Sequence, residues 1–586
     1  MRGAGGAGAV DRTAFEDVAV LHHRVSAIAE GMGSALIRAS SGTNIKERRD
    51  LSCATFDAKG RLLAQAAHIP VHLGALPAAV AAANDHVDRW RRGDVVLLND
   101  PYLGGSHLPD LTTVSPAFVP RGDAPVGFVA TRAHHADVGG GAPGSLMAAR
   151  DLYGEGLILP PVHLVRAGRR ADDVIAIVCA NSRTPIERRA DLGAQLAAQR
   201  LGADALARLI ATTPGFAASA EALLAWSARL CRSRLRTLGD GRASFQDALD
   251  DDGVGGGPLG LQVAVTLADG RLHADFAGTA SQADGGLNAP IAVTLSAARY
   301  VAACLVGDVP LNDGAFAHVS VTAPLGSLVN PIRPAAVAAG NVETSQRIVD
   351  VLFGALAVLA PDRVPAAGHG TMNNLLIGGS DARRGRAFAY YETMGGGGGG
   401  GPAGPGASGL QTHMTNTRNT PIESIELAYP LRVERYALRR GSGGQGKHCG
   451  GDGVVRRVRL LEDASVTVVS ERRVGRPWGL AGGDAGMAGV NRALYADGGT
   501  ETLPGKTTRQ LRAGDAIEIA SPGGGGWGAT GPGRAPLGGA PVGHAVQDER
   551  EHEHPGDHVD EQGPIPQQDV LRRTADAAHL DQVQVA

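Results

Sequence analysis

The sequence predicts a large mixed α/β protein of the α+β kind, built in several layers, on three observations. Apolar residues recur at helical spacing over 14–39 and again between 187 and 238, short apolar runs bounded by turn residues fill the stretches between, and from about residue 258 the pattern becomes strand-like. At 586 residues the chain exceeds one simple core, since a domain takes roughly 100–200 residues.

Val18, Leu21, Val25, Ile28, Met32 and Leu36 stand three or four residues apart and predict an amphipathic helix over 14–39. Short strands are predicted at 53–56, 61–65, 95–98, 111–114 and 127–131. Ala/Leu-rich helices follow at 191–210 and 217–238, ended by Gly239-Asp240-Gly241. In LQVAVTLADGRLHADFAG the pair Asp269-Gly270 marks a hairpin turn. One further helix is predicted at 344–360. GGGP at 255–258 reads as a flexible connector, which divides the chain into an α/β part at 14–245 and a strand-rich part at 258–528. Residues 1–13 and the polar, proline-bearing tail 530–586 are expected to lack order, and the tail's His544, His552, His554 and His558 read as solvated.

Composition narrows the function. With 56 basic and 59 acidic residues the chain has a formal charge of −3 and no basic stripe to neutralise phosphates, so no nucleic-acid partner is expected. The five cysteines form no C-x-x-C pair, which argues against a zinc ribbon or a disulfide framework and fits a reducing cytoplasm. The start lacks an apolar leader, and the most apolar later run, 348–360, is broken by Asp350 and too short to span a bilayer; no membrane association is expected. Glycine is the anomaly: 84 residues, about twice the usual share of roughly 7%. Its densest run, 395–401, reads either as a loop whose backbone hugs a ligand or as a slack linker.

The chemistry concentrates in NDPYLGGSHLPDLTTVSP and RAHHADVGGGAPGS, which set His107-x-x-Asp110 upstream of His134-His135-x-Asp137. Imidazole and carboxylate together form the mixed donor set that suits Zn²⁺, Mn²⁺ or Fe²⁺. Such an ion lowers the pKa of bound water to about 7 and polarises a carbonyl. A lone histidine more often satisfies a buried hydrogen bond, but two clusters flanked by glycine favour a metal. On a strand His134 and His135 would face opposite ways, so only one of them is a ligand, with Asp137 left to orient a histidine. Upstream, KERRD supplies Asp50 either as a ligand or as part of a solvated charged face, and His68 and His72 follow it. GTETLPGKTT at 499–508 fails the phosphate-loop spacing and carries Pro504 where a backbone donor is needed. No G-x-S-x-G elbow is present, and Cys449 beside His448 is weak evidence for a dyad.

Ordered motifs from about residue 14 to 528 carry a resemblance: SGTNIKERRDLSCATFD, HIPVHLGALP, the two clusters above, EGLILPPVHL, NSRTPIERRADL, FAGTASQADGGLN, AAGNVETSQRIVDVLFGAL, GHGTMNN, HMTNTRNTPIE, GSGGQGK, RPWGLAGG and PGGGGWG. Together they resemble the hydantoinase B family, which groups N-methylhydantoinase, 5-oxoprolinase, caprolactamase and acetone carboxylase α-type chains. The resemblance implies a multi-layer hydantoinase B-type fold whose N-terminal half bears a divalent metal. It also implies an A/B hetero-oligomer in which a hydantoinase A-type ATPase partner takes up ATP and phosphorylates a small cyclic amide, and this chain's metal-activated water opens the ring. Carried over by residue, the metal site would comprise Asp50, His107, Asp110 and one of His134 and His135. His68, His72 and Asp137 would lie around it or face the substrate. ATP-dependent ketone carboxylation on the same architecture is the alternative enzyme, and a non-catalytic scaffold for the ATPase is the alternative of another class. The sequence departs from the family pattern at the glycine run, which follows a YYET segment, and in the tail.

Overall fold

The computed structural model describes residues 12–66, 68–146 and 149–530. The stretch expected to lack order at 1–13 lies outside these except for its last two residues, which open the first helix, and the tail 530–586 lies outside except for its first. That helix, α1 (Arg12–Ala39), buries Val18, Leu21, Val25, Met32 and Leu36 of the apolar stripe read from the sequence, with Ile28 partly buried beside them. The other helices are α2 (Thr43–Lys46), α3 (His72–His86), α4 (Asp172–Ala180), α5 (Pro185–Ala211), α6 (Phe216–Arg236), α7 (Ile291–Val306), α8 (Ser345–Leu359) and α9 (Ile422–Ala428).

The N-terminal half is organised on a seven-stranded sheet of β1 (Leu51–Asp57), β2 (Leu62–Gln65), β3 (Val95–Leu98), β4 (Asp110–Ala117), β5 (Gly127–His134), β6 (Val162–Arg166) and β7 (Arg169–Arg170). Its order is β2-β1-β5-β4-β3-β6-β7 with antiparallel neighbours. β1, β4 and β5 are buried along their whole length. Alternation explains why: Leu51, Cys53, Val129 and Ala133 pack with α1 and α5 in one core, while Ala54, Phe56, Val114, Phe128 and Ala130 pack with Leu76, Val80 and Ala83 of α3 in another.

A second sheet orders β8 (Gly241–Leu249), β9 (Leu259–Ala268), β10 (Arg271–Asp275) and β11 (Val319–Thr322) as β11-β10-β9-β8, against α7 and α8. Asp269 and Gly270 both have positive φ, 49° and 68°, the turn their sequence predicts between β9 and β10. The connector expected at 255–258 has a different place. β8 and β9 pair directly, and the segment between them is tied down by Asp252, which accepts from the Gly256 and Val254 N–H groups.

Two further sheets face each other across a shared core that includes Leu375, Ile377, Tyr390, Val458, Ile517 and Ile519. One orders β12 (Asn374–Asp381), β13 (Arg386–Glu392), β16 (Ala464–Val469) and β19 (Lys506–Leu511) as β13-β12-β16-β19. The other orders β14 (Leu431–Arg439), β15 (Gly453–Leu460), β17 (Val490–Leu494), β18 (Thr500–Leu503) and β20 (Ala516–Ala520) as β14-β15-β20-β17-β18. GTETLPGKTT therefore forms β18, a turn and β19, and its Lys506 is buried against Glu471 at 2.6 Å.

The glycine run is no slack linker, and what its backbone hugs is other backbone. Gly398 N–H donates to Ala407, Gly451 N–H to Gly398, Gly524 N–H to Gly451 and Gly400 N–H to Gly525, each at 2.8–2.9 Å. A Cβ on Gly397 would lie 1.9 Å from the Gly451 carbonyl oxygen, and one on Gly524 would lie 1.9 Å from that of Gly398. Extended segments distant in sequence thus stack with only hydrogen atoms between them, an approach that only glycine permits. Among the described residues, no helix is long and apolar enough to cross a membrane.

Because the atoms opposing that Cβ are backbone, Gly524→Ala is expected to cost about 1–3 kcal/mol or more by overpacking. Gly404→Ala, with nothing within 4 Å, is expected to leave stability unchanged. Denaturant unfolding of the two variants measures the difference, and equal midpoints would contradict the packing described.

Candidate metal centre

Sheet register builds the centre. β4 and β5 pair so that Asp110, the first residue of one strand, stands directly opposite His134, the last of the other. On β1, Asp50 immediately precedes Leu51, and its carbonyl accepts the His134 N–H at 3.0 Å. Asp110 and His134 share the face that carries Val114 and Ala130, so both side chains point toward α3. His107 arrives from the turn before β4, where Asp110 N–H closes onto the His107 carbonyl at 3.1 Å.

One ligand atom from each of His107, Asp110 and His134 lies within 4.8 Å of the others, and all three side chains are buried. His107 Nε2 is 3.4 Å from Asp110 Oδ2. The Nε2 atoms of His107 and His134 have no hydrogen-bond partner, although a buried polar atom left unpaired costs about 1–3 kcal/mol. His107 Nδ1 donates to the Ala338 carbonyl at 3.2 Å, which turns Nε2 toward the carboxylate. His134 Nδ1 lies 3.1 Å from the Asn44 amide nitrogen, and the Asn44 oxygen accepts from the Arg48 guanidinium at 3.4 Å. The His134 ring stacks on Tyr391, centroids 4.7 Å apart, and the Arg48 guanidinium lies over the Tyr391 ring at 4.6 Å from its centroid.

Electrostatics match the donor set. Burial alone would raise the Asp110 carboxyl, but the His107 and His72 rings beside it prevail and hold it well below the usual carboxylate range. Burial, with His107 adding to it, pushes His134 well below the ordinary histidine value, so that ring is neutral. One carboxylate and two buried imidazole nitrogens without hydrogen-bond partners fit a divalent ion. His107, Asp110 and His134 thus form a candidate metal site of mixed nitrogen and oxygen donors, the set that suits Zn²⁺, Mn²⁺ or Fe²⁺.

A model of the hydantoinase B/oxoprolinase family matches residues 16–530. The chain belongs to that family. Among its relatives is 5-oxoprolinase 1 of Arabidopsis thaliana, 38% identical over 544 residues that make up 87% of this chain and 41% of that protein. Another is the putative D-/L-hydantoinase B-type subunit of Pseudomonas sp. (strain NS671), 33% identical over 526 residues, 86% of this chain and 88% of the relative. The chain spans about two fifths of the oxoprolinase but most of the hydantoinase subunit. The crystal structure of the ATP-dependent caprolactamase from Pseudomonas jessenii matches with a TM-score of 0.81 at 27% identity, over 89% of this chain and 92% of that one.

The remaining candidate residues of this hydantoinase B-family sequence have other places. Asp50 lies beside the group of three, its Oδ2 turned to Arg48 at 3.6 Å, and burial pushes its carboxyl up to about 6. His72, the first residue of α3, is 3.2 Å from Asp110 Oδ2 through Nε2 and 2.8 Å from Ser52 Oγ through Nδ1. His135 leaves the strand on the α5 side, where its Nε2 meets Gln195 Oε1 at 3.0 Å, so it is not brought to the cluster. Asp137 orients no histidine: it accepts from the Gly139, Gly144 and Arg183 N–H groups and from the Arg183 guanidinium, and so clamps the glycine loop. His68 accepts the Cys53 N–H at 3.2 Å and fills the space over Gly33 of α1, with burial pushing it to about 4.

Sequence reasoning missed Ser106, whose hydroxyl donates to Asp110 Oδ2, and the buried Arg132 that reaches Thr112 and the Gly104 carbonyl behind it. It also missed Asn44 and Tyr391 around His134. These two stand in the motifs TNIKERRD and YYET, but only the folded register brings those motifs together.

Metal titration of the purified chain, monitored by calorimetry, is expected to show one site. His107→Ala, Asp110→Ala or His134→Ala should each lower affinity by about 100-fold or more, whereas His135→Ala should retain it. Loss of binding in the His135 variant together with retention in the His134 variant would reverse the assignment.

Proposed function

We propose that the chain is the B-type component of an ATP-dependent cyclic-amide hydrolase, acting on a hydantoin, 5-oxoproline or lactam ring activated by a hydantoinase A-type ATPase partner. The observation that carries this is the buried trio of His107, Asp110 and His134 with two unpaired Nε2 atoms, in a chain of the hydantoinase B/oxoprolinase family. The similarity to the B-type hydantoinase subunit supports the two-component arrangement, and that to the ATP-dependent caprolactamase supports the reaction class.

In this reading His107 Nε2, His134 Nε2 and an Asp110 carboxylate oxygen hold the ion, with Asp50 as the further oxygen donor that the family resemblance implies. When bound, a divalent ion supplies Lewis acidity to a substrate carbonyl and to water. The chain's own groups set the conditions. His72 Nε2–H and the Ser106 hydroxyl both donate to Asp110 Oδ2, which fixes the carboxylate and keeps it ionised, and Ser52 O–H in turn donates to His72 Nδ1. Tyr391 holds the His134 ring flat against its own, and Arg48 caps the stack while pairing with Asp50. Every one of these residues is at most 8% exposed, so the charges and hydrogen bonds around the ion would act in a low-dielectric interior, where each is stronger than in water.

Reconstitution with an A-type partner tests the assignment on a panel of hydantoin, 5-oxoproline and caprolactam. Ring opening is expected to require ATP and both chains, and Asp110→Ala should lower it by at least about 100-fold. ATP turnover that needs bicarbonate and a ketone, with no ring opened, would establish the carboxylase alternative instead.

A further inference from the structure

We infer that Glu155, in the motif EGLILPPVHL, is a positioning residue for the metal ligand His107, acting through the backbone of Val337 and Ala338. The inference rests on the reading that His107, Asp110 and His134 hold a divalent ion.

The connection is short and wholly buried. Glu155 is 1% exposed, and its Oε1 accepts the N–H groups of Val337 and of Ala338, each at 2.8 Å. Two consecutive N–H groups aimed at one carboxyl oxygen fix that stretch of chain in direction as well as position. The next group along is the Ala338 carbonyl, the acceptor of His107 Nδ1–H at 3.2 Å. A histidine that binds metal through Nε2 needs an acceptor on Nδ1–H, which selects the tautomer and aims the ring. Glu155 therefore holds, at one remove, the atom that decides which His107 nitrogen faces Asp110.

Glu155 is itself held. It closes the turn Leu152–Gly154, its N–H donating to the Leu152 carbonyl, while Leu152 N–H donates to Pro334, three residues before Val337. The residues that follow it run alongside the His107 turn. The Asn99 amide donates to the carbonyls of Leu108 and Leu157 and accepts the Leu159 N–H, so EGLIL and the residue after His107 are stapled by one side chain. Glu155 Oε2 has no partner, and burial pushes the carboxyl up to about 8, consistent with a neutral group used for its oxygen rather than its charge. This accounts for a motif to which the ligand set gives no role.

The neutral form makes Glu155→Gln the conservative replacement, because its amide oxygen still accepts both N–H groups. Glu155→Met keeps the length and removes the acceptor. Mn²⁺ or Zn²⁺ affinity by chelator competition, together with melting temperature, separates the outcomes. Wild type and Glu155→Gln are expected to bind alike, and Glu155→Met, which leaves two buried N–H groups unpaired, about 10–100-fold more weakly with a lowered but still cooperative melting transition. If the Met variant does not fold, Glu155→Asp, one methylene shorter, should show the same weakening. Equal affinity of all folded variants overturns the inference while leaving the metal site standing. A wild-type chain that binds neither ion, or binds it no more tightly than His107→Ala does, overturns the site and the inference with it.

Discussion

The direct pairing of Asp110 with His134 across β4 and β5 is the constraint on which the centre depends. Side chains alternate along a strand, so a slip of one residue in that pairing would send Asp110 and His134 to opposite faces, or bring His135 in place of its neighbour. Burial on both faces forbids the slip. α1 and α5 take Ala133 and Val129, α3 takes Ala130 and Val114, and each shift by one residue would bury the wrong set. Hydrophobic packing of three helices against one sheet thereby specifies where a carboxylate and an imidazole meet. The same pairing hands the His134 N–H to the Asp50 carbonyl and brings the KERRD segment alongside.

The C-terminal half reaches the centre through β13. Tyr390 faces the core between the two C-terminal sheets, and Tyr391, one residue on, faces the opposite way and stacks on His134. The strand ends at Glu392 and the glycine run begins at Gly395, so this close backbone packing anchors the strand that carries Tyr391. Asn374 continues the support: it accepts the Tyr391 hydroxyl at 2.9 Å and donates to Glu343 at 2.7 Å. Glu343 lies in the π-helical turn Gly340–Thr344, whose first residue is two past the Ala338 carbonyl that receives His107. Both histidines of the trio are thus braced by the segment that opens α8, one through backbone and one through an aromatic ring.

Much of this was legible in the sequence. The helix over α1, the strands around the ligands, the α5 and α6 pair and the Asp269-Gly270 turn are local patterns, and local patterns survive folding here. Strand alternation set His134 and His135 on opposite faces in the sequence but left open which of them turns to the cluster. Other parts were out of reach for physical reasons. Asp137 reads in the sequence as a residue that orients a histidine, and only the Arg183 guanidinium 46 residues away, together with the backbone N–H groups around it, reveals it as a loop clamp. The run 395–401 offered two readings because glycine patterns state what a backbone is permitted to do, not which distant segment will lie against it. The connector at 255–258 was misjudged because glycine and proline mark hairpin loops as readily as linkers. Glu155 was hidden because its effect on His107 passes through peptide groups, which carry no residue identity.

The central claim is that His107, Asp110 and His134 share one divalent ion. X-ray absorption spectroscopy of the chain loaded with a single equivalent of Zn²⁺ measures it most directly. The account predicts a shell of nitrogen and oxygen donors at about 2.0–2.2 Å with outer-sphere scattering from two imidazole rings, falling to one ring in His134→Ala. A spectrum with no imidazole contribution, or one unchanged by removing His134, would contradict it.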